Sequence, residues 1–145
     1  MNINGNVTIH STECCDVTYK YAVSELSRLL KKAGIGIPGN NAAKACSGFS
    51  LGIGTSAFVS PEGVRDDGFL IKVTHDSASI SAICAKGILN GVYELAEMLG
   101  YIFLKPDDAG EWAPESLMEL SPGTTLKNPR FPHRGNFHLP DDCFT

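Results

Sequence analysis

Residues 19–33 carry the most restrictive pattern in the chain. Tyr19, Ala22, Val23, Leu26, Leu29, Leu30 and Ala33 recur at spacings of three and four, which aligns them on one stripe of an α-helix. Lys20, Ser24, Glu25, Arg28, Lys31 and Lys32 fall on the other face. Asp16 offers an N-cap oxygen. Gly34 can take the left-handed conformation past the end, and Pro38 prevents resumption. A second helix is expected over roughly 86–99, with Ile88, Val92, Leu95 and Leu99 as its stripe and Leu89 and Ala96 beside it. Gly87 and Gly91 sit four apart on one face of it. Each glycine costs about 0.5–1 kcal/mol relative to alanine in a helix interior. The pair therefore implies close approach of another backbone. Gly100 ends this helix.

A helix with one apolar face is incomplete until that face is covered. The covering material is short strands. Ile3, Val7 and Ile9 predict a half-buried strand over residues 3–9. Phe49, Leu51 and Ile53 alternate with Ser50, Gly52 and Gly54 and predict a second. Phe69, Ile71 and Val73 predict a third, joined through a turn at 75–77 to a fourth containing Ile80 and Ala82. Tyr101 to Leu104 is a short apolar strand, and Leu117 and Leu120 add strand-like material near the end. Residues 39–47 and 55–67 read as loops. The order is β-α-β-β-β-α-β. Two amphipathic helices cover only one face of a sheet. The expectation is thus an α+β fold, a two-layer sandwich in which a small mixed β-sheet carries two main helices on one face.

The chain has 145 residues, 43% of them hydrophobic and 19% charged. These values suit one domain with its own core and exclude disordered, collagen-like and coiled-coil classes. The net charge of −4 argues against nucleic acid and against a cationic membrane-surface helix. No apolar run approaches the length of a membrane span. A TIM barrel takes about 250 residues, so barrel chemistry must lie outside these 145. The five cysteines are odd in number, include the vicinal pair Cys14–Cys15, and show no C-x-x-C spacing. Cys84, and to a lesser degree Cys46, are expected to act as small buried hydrophobes. Free cysteines and the lack of a leader pattern in residues 1–15 favour the cytoplasm. A secreted or periplasmic chain trimmed of its leader would read the same.

No catalytic set assembles from the residue types. Gly52-Ile53-Gly54 lacks the third glycine and the following helix of a phosphate loop. Asp107, Asp108 and Glu111 cluster three carboxylates in one loop without EF-hand spacing. Neighbours on one short loop rarely face each other across a substrate, as an acid/base pair must. Trp112 adjoins that loop and is the only tryptophan. It reads as a hydrophobic plug against another domain, or as a platform for a sugar ring. His133, His138, Asp141, Asp142 and Cys143 suggest a metal site, but residues five apart on an extended chain point to opposite faces. Asn6-Val7-Thr8 matches a glycosylation sequon inside an expected strand and carries no weight. Neither a serine nucleophile elbow nor an activated cysteine is present. No cofactor and no metal are expected.

Three stretches together resemble the non-catalytic N-terminal domain that precedes the barrel in several glycoside hydrolases. These include family 20 β-hexosaminidases of the chitobiase type and family 67 α-glucuronidases. The first stretch is Tyr19-Lys20-Tyr21-Ala22-Val23-Ser24-Glu25-Leu26. The second is Lys86-Gly87-Ile88-Leu89-Asn90-Gly91-Val92-Tyr93-Glu94-Leu95, followed by Leu99-Gly100-Tyr101. The third is Asn128-Pro129-Arg130-Phe131-Pro132-His133-Arg134-Gly135, which is similar to the segment leading hexosaminidases into their first barrel strand. The resemblance implies an accessory domain over residues 1–127 and a connector with the start of a barrel over 128–145. The partner it implies is the TIM-barrel catalytic domain of the same polypeptide. Asp107, Asp108, Glu111, Trp112 and Arg134 are the candidate contacts to that barrel or to an oligosaccharide. Hexosaminidases hold the sugar with an arginine further along this strand. Asp142 stands at its position here, so that contact does not carry over. Two other readings stay open: a stand-alone sugar-binding module centred on Trp112, and a small metal-dependent enzyme using the cluster from His133 to Cys143.

Overall fold

A computed structural model describes residues 1, 3, 7–37, 47–53, 62–105 and 108–130. Its first helix, α1 (Val17–Lys32), begins where Tyr19 N–H donates to Asp16 Oδ1 at 3.0 Å. Removing that oxygen leaves an orphan donor in the first turn. Asp16→Ala is therefore expected to cost about 1 kcal/mol, read as a lower urea midpoint with an unchanged slope. Both helices end the same way. Gly34 (φ 79°) donates to Lys31 O and Ile35 to Leu30 O. After α2 (Ala85–Met98), Gly100 (φ 99°) donates to Glu97 O and Tyr101 to Ala96 O. This double bond pattern satisfies the last carbonyls and needs a left-handed residue, which glycine supplies without strain.

Five strands form the main sheet: β1 (Val7–Ser11), β2 (Ser47–Ile53), β3 (Phe69–Val73), β4 (Ser77–Ala82) and β7 (Gly123–Lys127). The spatial order is β1-β2-β4-β3-β7. β1, β2 and β4 run parallel, while β3 lies antiparallel to both β4 and β7. The sheet is therefore mixed, as expected of the α+β class. Phe69, Ile71 and Val73 alternate inward with Ala78, Ile80 and Ala82, and they join the buried faces of α1 and α2 in one core. The glycines of α2 explain how closely it lies on the sheet. A Cβ on Gly87 would come within 3.0 Å of the Gly68 carbonyl oxygen and 2.7 Å from Ala82 Cβ. A Cβ on Gly91 would meet Ile80 Cγ2 and the Phe69 ring.

Several expectations need correction. Among the described residues the first strand runs from Val7 to Ser11, two residues past the expected end at 9, and Ile3 is buried ahead of it. Among the described residues the last strand is β7, and Leu117–Leu120 is not a strand. Leu120 instead anchors the segment before β7, since it is buried and its N–H donates to Met1 O at 3.0 Å. Cys84 is not a core residue: it sits half-buried at the N-cap of α2 and its thiol donates to Asp66 O at 3.4 Å. Cys46, the sequon at Asn6 and Gly54 lie outside the described residues. The described helices include none long and apolar enough to cross a membrane.

Candidate functional site

Glu25 is placed on the polar side of α1 by periodicity, yet it is only 5% exposed. Such a carboxylate must be paired to remain charged. Arg28, one turn further along the helix, donates from Nε to Glu25 Oε2 at 2.8 Å and from Nη2 to Oε1 at 2.7 Å. Tyr93 on α2 donates its hydroxyl to the same Oε1 at 3.0 Å. The other edge of the Arg28 guanidinium grips Glu111, with Nη1 to Oε1 at 3.1 Å and Nη2 to Oε2. Lys32 completes the cluster, 2.8 Å from Glu111 Oε1. One guanidinium thus holds two carboxylates, each through two bonds, and joins α1 to a residue 83 positions along the chain.

Glu111 belongs to a small antiparallel ribbon, β5 (Ile102–Phe103) with β6 (Glu111–Trp112). The strands are linked across a 3-10 turn at Asp108–Gly110, where Leu104 N–H donates to Gly110 O at 2.8 Å. Successive strand residues face opposite sides. Phe103 and its partner Glu111 face the protein. Phe103 stacks on Tyr101 at 6.1 Å and meets Tyr93 edge-on at 5.2 Å. Tyr101 donates its hydroxyl to Leu29 O. Ile102, Leu104 and Trp112 are consequently turned outward, and all three are exposed, Trp112 to 72%. The ribbon is clamped underneath by charge and aromatic packing and carries an apolar outer face.

The electrostatics follow from the geometry. Hydrogen bonds from Arg28 hold Glu25 below the ordinary carboxylate value, against its burial and with help from Tyr93. Arg28 likewise holds Glu111 low, with Lys32 assisting. The Arg28 guanidinium is stabilised in its charged form by the same bonds. Burial, and then the Glu111 charge, push Tyr101 up to about 12. Burial also raises Tyr93, with Tyr21 and Glu25 adding to it. Glycoside hydrolysis needs one carboxyl that stays protonated opposite one that is ionised. Glu25 and Glu111 are both kept ionised, so they clamp the ribbon and do not deliver protons.

Of the candidate contacts, Glu111 and Trp112 are neighbours on β6 with opposite orientations, one buried in the clamp and one in solvent. Asp108 opens the 3-10 turn. Asp107, Arg134 and the cluster from His133 to Cys143 lie outside the described residues. Glu25, Arg28 and Tyr93 are the functional residues that pattern reading misses. The one local signal was the i,i+3 spacing of Glu25 and Arg28.

No protein-family model and no curated protein matches the sequence. Solved structures do resemble the fold. One is the GH20 β-N-acetylhexosaminidase from Streptomyces coelicolor A3(2), with a TM-score of 0.52 and 17% identity over 90% of this chain. Another is a GH138 enzyme targeting pectin rhamnogalacturonan II, with a TM-score of 0.51 and 15% identity over 65% of this chain. This chain spans 23% and 13% of those two proteins. At such identities the likeness concerns the fold.

Proposed function

We propose that this chain is an accessory domain of a carbohydrate-active glycoside hydrolase and braces a catalytic barrel in the same polypeptide. The observation that carries this reading is the pair of coverages: the fold aligns over 90% of this chain with a hexosaminidase of which it makes up 23%. The locked state of Glu25 and Glu111 supports it, because a partly buried carboxylate pair that stays ionised is a structural device. The accessory unit covers residues 1–127 and the connector begins at Asn128. The barrel-facing surface is the outer side of the ribbon, with Trp112 as its largest exposed side chain. Ile102 and Leu104 flank Trp112 and offer no hydrogen-bonding group to a glycan, so this face favours protein over sugar.

Two measurements test the reading. The purified chain is expected to release nothing from a panel of aryl glycosides. Turnover that a substitution within these residues abolishes would overturn it. In the polypeptide with its barrel attached, Trp112→Asp is expected to lower the barrel's melting temperature while leaving the isolated chain as stable as before. An unchanged melting temperature in the attached form sinks the bracing role.

A further inference from the structure

We infer that a second surface of this domain, an open groove beside α2, binds a neutral polyhydroxylated ligand, namely a segment of an oligosaccharide. The inference goes beyond the bracing role and uses none of the ribbon residues. The groove encloses about 600 Å³, within the range of small-ligand sites. It is lined by Gly68 and Phe69, by residues of α2, and by the end of β7 with Asn128 and Pro129.

Its chemistry is balanced. Lys86 Nζ lies 3.2 Å from Asp67 Oδ2, and Lys127 Nζ lies 2.6 Å from Glu94 Oε2. Glu97 adds one carboxylate at the rim. The lining therefore holds three carboxylates against two ammonium groups, each ammonium already engaged. An anionic ligand meets an excess of negative charge, and a cation meets two ammonium groups. Asn90 Nδ2 donates to Asp67 O at 3.0 Å, which orients the amide and leaves Oδ1 as an acceptor. The second oxygen of Glu94 also accepts, and Lys86 and Lys127 each carry further N–H donors. A sugar hydroxyl both gives and accepts, so it can use donors and acceptors set side by side. Tyr93 contributes ring carbon rather than a phenol, because its hydroxyl is spent on Glu25. Together with Pro129 it supplies apolar surface for the C–H face of a pyranose ring.

The experiment is a titration of the isotopically labelled 145-residue chain, followed by amide shifts. The probes are a chito-oligosaccharide, a xylo-oligosaccharide and an oligogalacturonide, each to about 10 mM, where a Kd of about 1 mM is close to saturation. The expected result is amide shifts confined to 67–69, 86–97 and 127–128 with a neutral oligosaccharide, and weaker binding of the acidic one. Lys127→Met and Glu94→Gln are exposed-side changes expected to keep the fold and weaken binding about tenfold, while Trp112→Ala leaves it unaltered. The inference fails if no probe shifts these amides, if the shifts centre on Ile102–Trp112 and vanish in Trp112→Ala, or if both groove variants bind as the parent does. None of these outcomes bears on the bracing role, whose readout is barrel stability.

Discussion

Gly87→Ala is expected to destabilise the domain by about 2–3 kcal/mol, although alanine is the better helix former by about 1 kcal/mol. The added methyl would meet the Gly68 carbonyl oxygen and Ala82 Cβ at distances real Cβ atoms do not show. Both neighbours are fixed, one in the main chain and one at the root of a side chain in β4, so neither can swing away. Relief requires α2 to lift from the sheet, which loosens Ile88, Val92 and Leu95, all fully buried. Chemical denaturation of parent and variant measures the effect. A variant as stable as the parent would show that α2 has room to shift, against the tight packing described above. At Gly91 the obstacles are Ile80 Cγ2 and the Phe69 ring, which are side chains that can adjust. Gly91→Ala should therefore cost less than Gly87→Ala.

The second large effect is at Arg28. Arg28→Met leaves Glu25 and Glu111 with side chains 6% and 7% exposed and without their shared cation. Breaking a buried pair costs about 3–5 kcal/mol, and the 40% exposure of Arg28 itself lowers the expectation to about 2–3 kcal/mol near neutral pH. The pH dependence has a definite sign. Both carboxylates are held below their ordinary values in the folded chain. Their contribution is complete above the unfolded glutamate value of about 4.3 and disappears as pH falls through the lower folded values. Without Arg28, Glu25 keeps only the Tyr93 hydroxyl and Glu111 only Lys32, so burial counts for more and both values rise. The gap between parent and variant should therefore narrow toward acid. Urea midpoints at several pH values test this, and a gap that stays constant would mean that the clamp is not electrostatic. Trp112, the sole tryptophan, reports on the ribbon, and its fluorescence anisotropy should fall once Arg28 no longer holds Glu111 and only Lys32 does.

The helices were the readable part of the sequence because their determinants are local. The stripe from Tyr19 to Leu30, the Asp16 cap and the two terminal glycines act within a few residues of each other. Gly87 and Gly91 announced a close contact, but Gly68, Ile80 and Phe69 as its other side required the fold. Strand β7 escaped because GTTLK carries a single large apolar residue, Leu126, and that residue is half-exposed on an edge strand. The pull of Leu117 and Leu120 toward a strand reflects their packing against the core, where Met118 N–H donates to Leu99 O and Leu120 N–H to Met1 O, rather than sheet pairing. Strand order was also hidden, since β2 pairs with β4 and skips the strand between them in sequence. The clamp was the least visible feature. Glu25 looks like any solvated residue on a helix, and the partner that shares its arginine is Glu111, far along the chain.

The place of β7 beside β3 has a consequence for synthesis on the ribosome. Strand β4 follows β3 at once, but β7 emerges only after α2 and both ribbon strands have been made. During that interval β3 is an edge strand with unpaired main-chain groups next to Phe69, Ile71 and Val73. Open edges of this kind recruit strands from other chains. The nascent domain is thus most prone to misassociate just before residues 123–127 are delivered, and shortening the chain ahead of Gly123 would make that transient hazard permanent.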